Sequence, residues 1–280
     1  MADDLTTYCE NTWCPGCGNF GIFNSVKAAI KQLEGKGVRR SDLFMCAGIG
    51  CHGKIFDYLA VSGFYGLHGR SMSTAQGVKL ANPSLRVFTF CGDGDAYGEG
   101  LEHMLFAAKR NSGIAVVVHN NGVYGLTVGQ FTPVSKRGFK GPSSPRGSVE
   151  EPLNPLALIL EAGATFVARG YSGKPAHLTD LLVQALSHDG FAYVDVLQPC
   201  VSFNDTYKLY NESVEIVPGP AKSREEAIAL VKRGGKIPIG LFWEERKEPF
   251  HKALMGDRNP VMNGQPRSER ISKVKKLLEG

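Results

Sequence analysis

Hydrophobic residues along the chain follow two alternating spacings, one typical of amphipathic helices and the other of short buried strands. The helical spacing predicts helices at residues 20–33, 73–80, 98–109, 176–186 and 223–233. Between them lie short apolar runs rich in β-branched residues, which predict strands at residues 42–48, 86–91, 114–119, 165–168, 191–197 and 236–243. Alternation of this kind implies right-handed β–α–β crossovers. We therefore predict an α/β fold, with a mostly parallel sheet and helices on both of its faces.

Two segments depart from this alternation. Residues 127–152 show no clear period and are crowded with Gly, Pro and Ser; a loop of that length is usually a binding loop, a partner contact or disordered. Residues 244–280 form a polar tail, in which only a short helix at 272–278 is predicted. We predict one main domain over residues 1–220 and a C-terminal extension over residues 221–280, packed on that domain or on a partner subunit.

Composition and charge exclude several classes of protein. Hydrophobic residues make up 42% of the 280 residues, which is enough for an ordinary globular core. The net charge of +5 is dispersed over the whole chain, so it gives no reason to expect nucleic-acid binding. No apolar run approaches the roughly 18–20 residues of a membrane span, and the acidic N-terminus lacks the pattern of a signal peptide. We expect a cytoplasmic protein that does not bind membranes.

The chain has seven cysteines, an odd number that, without a secretory signal, favours a reducing compartment over a disulfide framework. Cys91 ends an apolar run and is predicted to be a core residue. Cys14 and Cys17 flank Pro-Gly, a spacing at which two thiols can form a redox disulfide or bind zinc or an iron–sulfur cluster. A redox pair normally follows a strand, and no strand-like run precedes Cys14. Cys51 and Cys200, in turns after apolar runs, are candidate further ligands, but this pattern alone does not distinguish zinc from iron.

Asp93 and Asn121 follow consecutive predicted strands, with a helix between them. A right-handed crossover brings the carboxyl ends of both strands to the same edge of the sheet, so their side-chain oxygens can converge on one Mg²⁺ ion. Gly94 leaves space for a diphosphate, and the start of the following helix offers free N–H groups. Each fragment alone is a common turn sequence, but together they predict a site for Mg²⁺ and a diphosphate.

Several short motifs together carry a family resemblance. The diphosphate site resembles the thiamine-diphosphate motif, and the chain as a whole is similar to the β subunit of 2-oxoacid:ferredoxin oxidoreductases. The resemblance runs from about Cys14 to Cys200 and implies the thiamine-diphosphate-binding fold. The motifs that carry it are Trp13-Cys14-Pro15-Gly16-Cys17-Gly18, Gly48-Ile49-Gly50-Cys51, Leu67-His68-Gly69-Arg70, Gly92-Asp93-Gly94 with Asn120-Asn121, and, more weakly, Pro238-Ile239-Gly240-Leu241-Phe242.

The resemblance implies two metal centres. A [4Fe-4S] cluster would be bound by Cys14, Cys17, Cys51 and Cys200, whereas Cys46, inside an apolar run, is predicted to be a core residue. The Mg²⁺ ion would be held by Asp93, by Asn121 and by the carbonyl of Val123. Gly94 and Asp95 would line the diphosphate. The residues expected to surround the cofactor are Ile49, Gly50, Cys51, His52, His68, Gly125 and Leu126.

Two residues are candidates for a role in catalysis. Leu126 would press the two cofactor rings into a bent shape, although an ordinary core leucine fits its sequence context equally well. Lys54 matches a position that the family associates with the substrate carboxylate, and a surface lysine is its alternative. The basic residues Lys136, Arg137, Lys140 and Arg146 are expected to form a solvated loop, with steering of acidic ferredoxin or contact with another subunit as the alternative.

The activity implied by the resemblance is CoA-dependent oxidative decarboxylation of a 2-oxoacid, such as pyruvate or 2-oxoglutarate, to acyl-CoA and CO₂. The electrons would pass through the cluster to ferredoxin. In thiamine enzymes the activating glutamate lies on a separate domain, so we expect an active site completed by an α (or fused γα) partner. A subunit of a non-oxidative thiamine-diphosphate decarboxylase and a scaffold or electron-transfer module without thiamine chemistry are the alternatives.

Overall fold

A single mixed sheet forms the centre of the molecule. The computed structural model describes residues 5–256, 259 and 264–279. Within these residues eight strands are ordered β2-β1-β3-β4-β6-β5-β8-β7, and only β5 and β8 are antiparallel neighbours. The strands are β1 (Leu43–Ala47), β2 (Gly63–Tyr65), β3 (Arg86–Gly92), β4 (Ile114–Asn120), β5 (Phe166–Tyr171), β6 (Ala192–Leu197), β7 (Val214–Ile216) and β8 (Ile237–Glu244). The predicted mostly parallel sheet is confirmed.

Helices cover both faces of this sheet, as predicted. Side chains of α1 and α6 pack in one apolar cluster, and those of α3, α4, α5 and α8 pack in a second cluster on the opposite face. The helices are α1 (Asn19–Gly35), α2 (Ile55–Tyr58), α3 (Ser71–Ala81), α4 (Leu101–Lys109), α5 (Pro155–Glu161), α6 (Pro175–Ser187), α7 (Tyr207–Ser213), α8 (Arg224–Lys232), α9 (Phe250–Met255) and α10 (Arg267–Glu279).

The pleat of the central strands explains why two cores form. Successive side chains of a strand point to opposite faces; in β3, Phe88 and Phe90 join the α1–α6 cluster, whereas Val87 and Cys91 join the other. Cys46 on β1 is also fully buried in the second cluster. Burial raises the pKa of its thiol to about 12. Both cysteines are therefore core residues, as predicted.

The structure differs from the predicted elements at the edges of the sheet and in four short helices, α2, α5, α7 and α9, which were not predicted. The edge strands β2 and β7 contain three residues each and were not predicted, because so short a run shows no period. A π-helical segment, Gly94–Glu99, precedes α4, so that helix begins at Leu101 and not at Gly98. α10 is longer than the predicted helix at 272–278.

The C-terminal part of the chain contributes to the sheet. β8 lies within the predicted extension, residues 221–280, and pairs with β5, while β7 pairs with β8. The predicted division at residue 220 stays a prediction. Residues 1–4, where a signal peptide would begin, and residues 257–258, 260–263 and 280 of the tail lie outside the described residues. In the part of the chain that is described, no helix combines the length and apolarity that crossing a membrane requires.

The carboxyl ends of four neighbouring strands carry the predicted site residues. β1, β3, β4 and β6 are adjacent in the sheet, and they lead into the segments that begin at Gly48, Asp93, Asn121 and Gln198. Ligands of open parallel sheets bind outside the carboxyl ends of the strands. The fold therefore brings four sequence-distant segments to one edge.

Candidate functional site

Asp93 and Asn121 lie next to each other at the ends of β3 and β4. The Asn121 backbone N–H donates to Asp93 Oδ1 at 3.4 Å, and Thr132 Oγ1 donates to Asp93 Oδ2 at 2.5 Å. The Asp93 carboxyl group is buried, with the residue 1% exposed. The aspartate and the asparagine are thus neighbours at this edge of the sheet, and convergence of their side-chain oxygens on a cation stays a prediction. Thr132, from the aperiodic loop, is an additional neighbour that the sequence did not indicate.

The electrostatic environment of Asp93 favours a nearby cation. Burial raises the pKa of this carboxyl to about 7, and the hydrogen bonds from Thr132 and from the Asn121 N–H offset only part of that rise. A carboxylate that is costly to ionise in its buried site is stabilised when a positive charge lies within a few ångströms. The site therefore suits a divalent cation, as the donor types predict.

The amide of Asn121 has a defined orientation. Its Nδ2 donates to Gln198 Oε1 at 3.0 Å, and its Oδ1 accepts from the Val123 N–H at 3.0 Å. A carbonyl oxygen has two lone pairs, so Oδ1 keeps one for a further partner. Both Asn121 and the buried Val123 line the cavity beside Asp93.

A small cavity connects these residues with the turn after β1. Its volume is about 90 Å³. The nine residues that were predicted to surround the cofactor or line its diphosphate all lie on its wall, together with Gly92, His119, Tyr124 and Thr127. Leu126 is 49% exposed at the rim, so it is not a core leucine. The roles of these residues stay predictions.

Asp95 holds three segments of the site together. Its Oδ1 accepts from the Gly69 N–H at 2.7 Å and from the Ile49 N–H at 3.3 Å, and it lies 2.8 Å from His68 Nδ1. Burial alone would raise the pKa of Asp95, but hydrogen bonds from His52 and His68 hold it well below its usual range. The carboxylate is therefore ionised and engaged with this chain's own donors, a positioning role that the sequence did not reveal.

His119 and Tyr124 are cavity residues that sequence reasoning missed. His119 ends a predicted strand, and nothing local marks it as functional; its Nδ1 lies 2.8 Å from Asn19 Oδ1. Burial, and then the charge of His52, lower the pKa of His119 well below its usual range, so the ring is neutral. Tyr124 packs over Gly94, where an added Cβ would lie 2.2 Å from the Tyr124 ring. The packing of Tyr124 therefore requires a glycine at position 94, in addition to any requirement set by a bound diphosphate.

The Cys14–Cys17 turn is tied to the segments that carry Cys51 and Cys200. The Cys17 N–H donates to the Cys14 carbonyl at 3.0 Å, and the Gly18 N–H donates to the Pro199 carbonyl at 3.1 Å. The indole of Trp13 donates to the Cys51 carbonyl at 2.6 Å. These bonds join the N-terminal motif to the ends of β1 and β6.

The thiols of Cys14, Cys51 and Cys200 lie near enough to Cys17 to influence its pKa. Burial raises the pKa of Cys17 to about 11, and the neighbouring thiols of Cys200, Cys51 and Cys14 each contribute to the rise. A Cβ added to Gly125 would lie 3.5 Å from Cys51 Sγ and 3.8 Å from Cys200 Sγ. In the described residues, no three His, Cys, Asp or Glu side chains are arranged to hold a metal ion.

Lys54 lies near Cys51 and does not line the cavity. It ends the short helical turn Cys51–Lys54, and its Nζ donates to Thr12 Oγ1 at 2.9 Å. Its charge lowers the pKa of Cys51 and so offsets part of the rise that burial causes. The predicted contact of Lys54 with a substrate carboxylate stays a prediction.

Comparison with known proteins agrees with this geometry. A family model described as the C-terminal TPP (thiamine pyrophosphate) binding domain of thiamine pyrophosphate enzymes matches residues 48–196, which contain the whole of the described cavity wall. Residues 200–257 match the C-terminal part of the pyruvate ferredoxin oxidoreductase β subunit. The sheet and its cavity are thus of the thiamine-pyrophosphate-binding class.

Relatives narrow this class to one family. The β subunit of a 2-oxoacid:ferredoxin oxidoreductase from Sulfolobus sp is 41% identical, over 95% of this chain and 93% of the relative. The 2-oxoglutarate synthase subunit KorB of Archaeoglobus fulgidus is 39% identical over 71% of this chain and 73% of that subunit. A solved structure, 2-oxoglutarate:ferredoxin oxidoreductase from Magnetococcus marinus with 2-oxoglutarate, coenzyme A and succinyl-CoA bound, is 34% identical. The superposition spans 97% of this chain and 95% of the Magnetococcus chain, with a TM-score of 0.89. The chain belongs to the family of 2-oxoacid:ferredoxin oxidoreductase β subunits.

Proposed function

We propose that this chain holds thiamine diphosphate, Mg²⁺ and one [4Fe-4S] cluster, and serves CoA-dependent oxidative decarboxylation of a 2-oxoacid. When bound, thiamine diphosphate supplies a carbanion that attacks the keto carbon, and the cluster supplies a one-electron acceptor. The observation that carries the proposal is that the cavity proposed for the cofactor and the site proposed for the cluster share one wall. Cys51 lines the cavity, and its thiol is near enough to those of Cys200 and Cys14 for them to raise its pKa, so donor and acceptor would be close neighbours.

The residues at the end of β3 and β4 fit a Mg²⁺ ion that carries a diphosphate. Asp93 offers a carboxylate whose ionisation a cation would favour, and Asn121 offers an amide oxygen with a free lone pair. The Val123 carbonyl is the third proposed ligand. Gly94 and Asp95 begin the π-helical segment beside them, and such segments are frequent at functional sites.

The four thiols fit an iron–sulfur cluster. Each iron of a [4Fe-4S] cluster binds one cysteine, so its ligands occupy separate corners and do not converge on a single ion. Burial, and to a lesser degree the neighbouring thiols, raise the pKa values of Cys17 and Cys51, and binding of iron would overcome both effects by neutralising the thiolates. Cys14, Cys17, Cys51 and Cys200 are the proposed ligands.

A partner subunit would complete the cavity. A volume of about 90 Å³ is small beside the roughly 300–1,000 Å³ of complete ligand pockets. Leu67, Leu126 and Val128 expose apolar side chains in or next to cavity-lining segments, which suits a surface that another chain covers. An α (or fused γα) subunit would supply the missing wall and the glutamate that activates the cofactor.

The proposed substrates are a 2-oxoacid and CoA, and the proposed electron acceptor is ferredoxin. The names of the relatives and the ligands in the Magnetococcus structure support 2-oxoacid and CoA binding, with 2-oxoglutarate as one candidate. Lys54 would approach the substrate carboxylate if the partner closes the cavity over the Cys51 turn. The exposed Lys136, Lys140 and Arg146 form a basic surface that suits an acidic protein such as ferredoxin.

The proposal is tested on the enzyme co-expressed with its partner under anaerobic conditions. We expect bound iron and thiamine diphosphate, and viologen reduction that requires both a 2-oxoacid and CoA. Cys51→Ser should remove the dithionite-bleachable absorbance and dye reduction, whereas Cys9→Ser, at an exposed cysteine, should change neither. Release of CO₂ without dye reduction in the wild-type enzyme would instead favour the non-oxidative alternative.

A further inference from the structure

Gln198 contacts both proposed centres. It follows β6, is 1% exposed, and lies between Asn121 and the Cys14–Cys17 turn. Its Oε1 accepts from Asn121 Nδ2 at 3.0 Å, and its Nε2 donates to Cys17 Sγ at 3.5 Å and to the Pro199 carbonyl at 2.7 Å. One buried amide therefore joins a proposed Mg²⁺ ligand to a proposed cluster ligand.

Chemistry fixes the orientation of both amides. A carbonyl oxygen can only accept, and so can a cysteine sulfur bound to iron, so the nitrogen of Gln198 must face Pro199 and Cys17. Its oxygen then faces Asn121, which must present its own nitrogen. The oxygen of Asn121 is left to face the Val123 N–H and the proposed cation. Gly18 makes room for this arrangement, because a Cβ there would lie 2.9 Å from Gln198 Cγ.

We infer that Gln198 is a positioning residue that couples the two centres, so that binding of Mg²⁺ and thiamine diphosphate makes the cluster easier to reduce. Hydrogen bonds to the sulfurs of a cluster stabilise the extra negative charge of its reduced state and raise its potential. A cation at Asn121 Oδ1 would polarise that amide, strengthen its bond to Gln198, and make Gln198 Nε2 a stronger donor to Cys17. This inference rests on the proposed function.

Ser202 provides a matched control. Its Oγ donates to Cys14 Sγ at 3.3 Å, so it also bonds to the sulfur of a proposed cluster ligand. Ser202 is exposed, and none of its described hydrogen bonds reaches Asn121. Loss of this hydroxyl should lower the cluster potential without affecting the response to Mg²⁺.

The test is an EPR-monitored redox titration of the cluster in the assembled enzyme, with and without Mg²⁺ and thiamine diphosphate. In the wild-type enzyme we expect a more positive midpoint potential after loading. In Gln198→Met, which keeps the length of the side chain without its donors, the potential should be more negative and the loading shift should shrink or vanish. Ser202→Ala should also have a more negative potential but should keep the full loading shift.

Two outcomes would overturn the inference: an unchanged potential on loading the wild-type enzyme, or a loading shift in Gln198→Met equal to that of the wild type. If Gln198→Met does not retain its cluster, Gln198→Leu replaces it, because it also lacks a donor for Cys17 and adds no charge; the expectations are the same. A missing cluster signal or absent thiamine diphosphate in the wild-type enzyme would refute the proposed function. An intact, loaded enzyme without the shift refutes the coupling alone.

Discussion

Replacing Asp93 with asparagine should stabilise the cofactor-free enzyme while abolishing its Mg²⁺-dependent binding of thiamine diphosphate. The side chain is buried, and its pKa is raised from 3.8 to about 7. A rise of about three units corresponds to a penalty of about 4 kcal/mol for keeping the carboxylate ionised in the folded state. Asparagine has the same shape, can accept from the Asn121 N–H and can donate to Thr132, so it avoids this penalty.

The pH dependence of this penalty determines at which pH Asp93→Asn stabilises the folded protein. Below about pH 4 the carboxyl is protonated in both the folded and unfolded states, so the penalty is absent. The penalty grows as the pH rises from about 4 to about 7, and it is complete above that range. Asp93→Asn should therefore raise the unfolding temperature at pH 8 by on the order of 8 °C, and by clearly less at pH 5.

The assay is thermal unfolding of the cofactor-depleted enzyme at both pH values, followed by calorimetric titration with Mg²⁺ and thiamine diphosphate. Asp95→Asn is the control with the opposite sign, because His52 and His68 lower the pKa of Asp95 and its charge therefore stabilises the folded state at neutral pH. A lower unfolding temperature for Asp93→Asn at pH 8, or the same difference at pH 5 and pH 8, would refute the reasoning.

Three further results are expected from the geometry of the site. Thr132→Val, which removes a hydrogen bond to the Asp93 carboxylate, should weaken Mg²⁺-dependent cofactor binding roughly tenfold, and Thr132→Ser should restore it in the same titration. Gly94→Ala should lower the free energy of unfolding by roughly 1–3 kcal/mol because its Cβ would overlap Tyr124, and adding Tyr124→Leu should recover part of that loss in denaturant unfolding. In loaded enzyme with free Mg²⁺ at about 100 times its dissociation constant, removing the ion with a chelator should lower the free energy of unfolding by about 2.7 kcal/mol. The unfolding temperature should fall, and added Mg²⁺ should restore it.

The parts of the fold that could be predicted are those in which hydrophobic residues recur with a clear local spacing. The central strands β3 and β4 are continuous apolar runs, and a right-handed crossover leaves little freedom in where their carboxyl ends lie. That Asp93 and Asn121 lie close together follows from that constraint. The edge strands β2 and β7 were missed because three residues cannot show a period of two.

The contacts that could not be predicted depend on chain segments returning from a distance. Thr132 reaches Asp93 only because a loop without regular structure folds back over the end of β3. His119 faces the cavity because of its position in the pleat, which the apolar run around it does not distinguish. Gln198 follows a predicted strand without any local sign of a role, and its contacts with Asn121 and Cys17 lie 77 and 181 residues away along the chain.

In the proposed enzyme, a divalent cation at Asp93 and Asn121 lies beside a four-cysteine cluster in one chain. Replacing Mg²⁺ with paramagnetic Mn²⁺ and measuring the electron-spin relaxation of the reduced cluster tests this directly. We expect markedly faster relaxation of the cluster with Mn²⁺ than with Mg²⁺, and loss of that difference in Asp93→Asn. Identical relaxation with the two ions, in enzyme shown to contain the cluster and bound Mn²⁺, would contradict it.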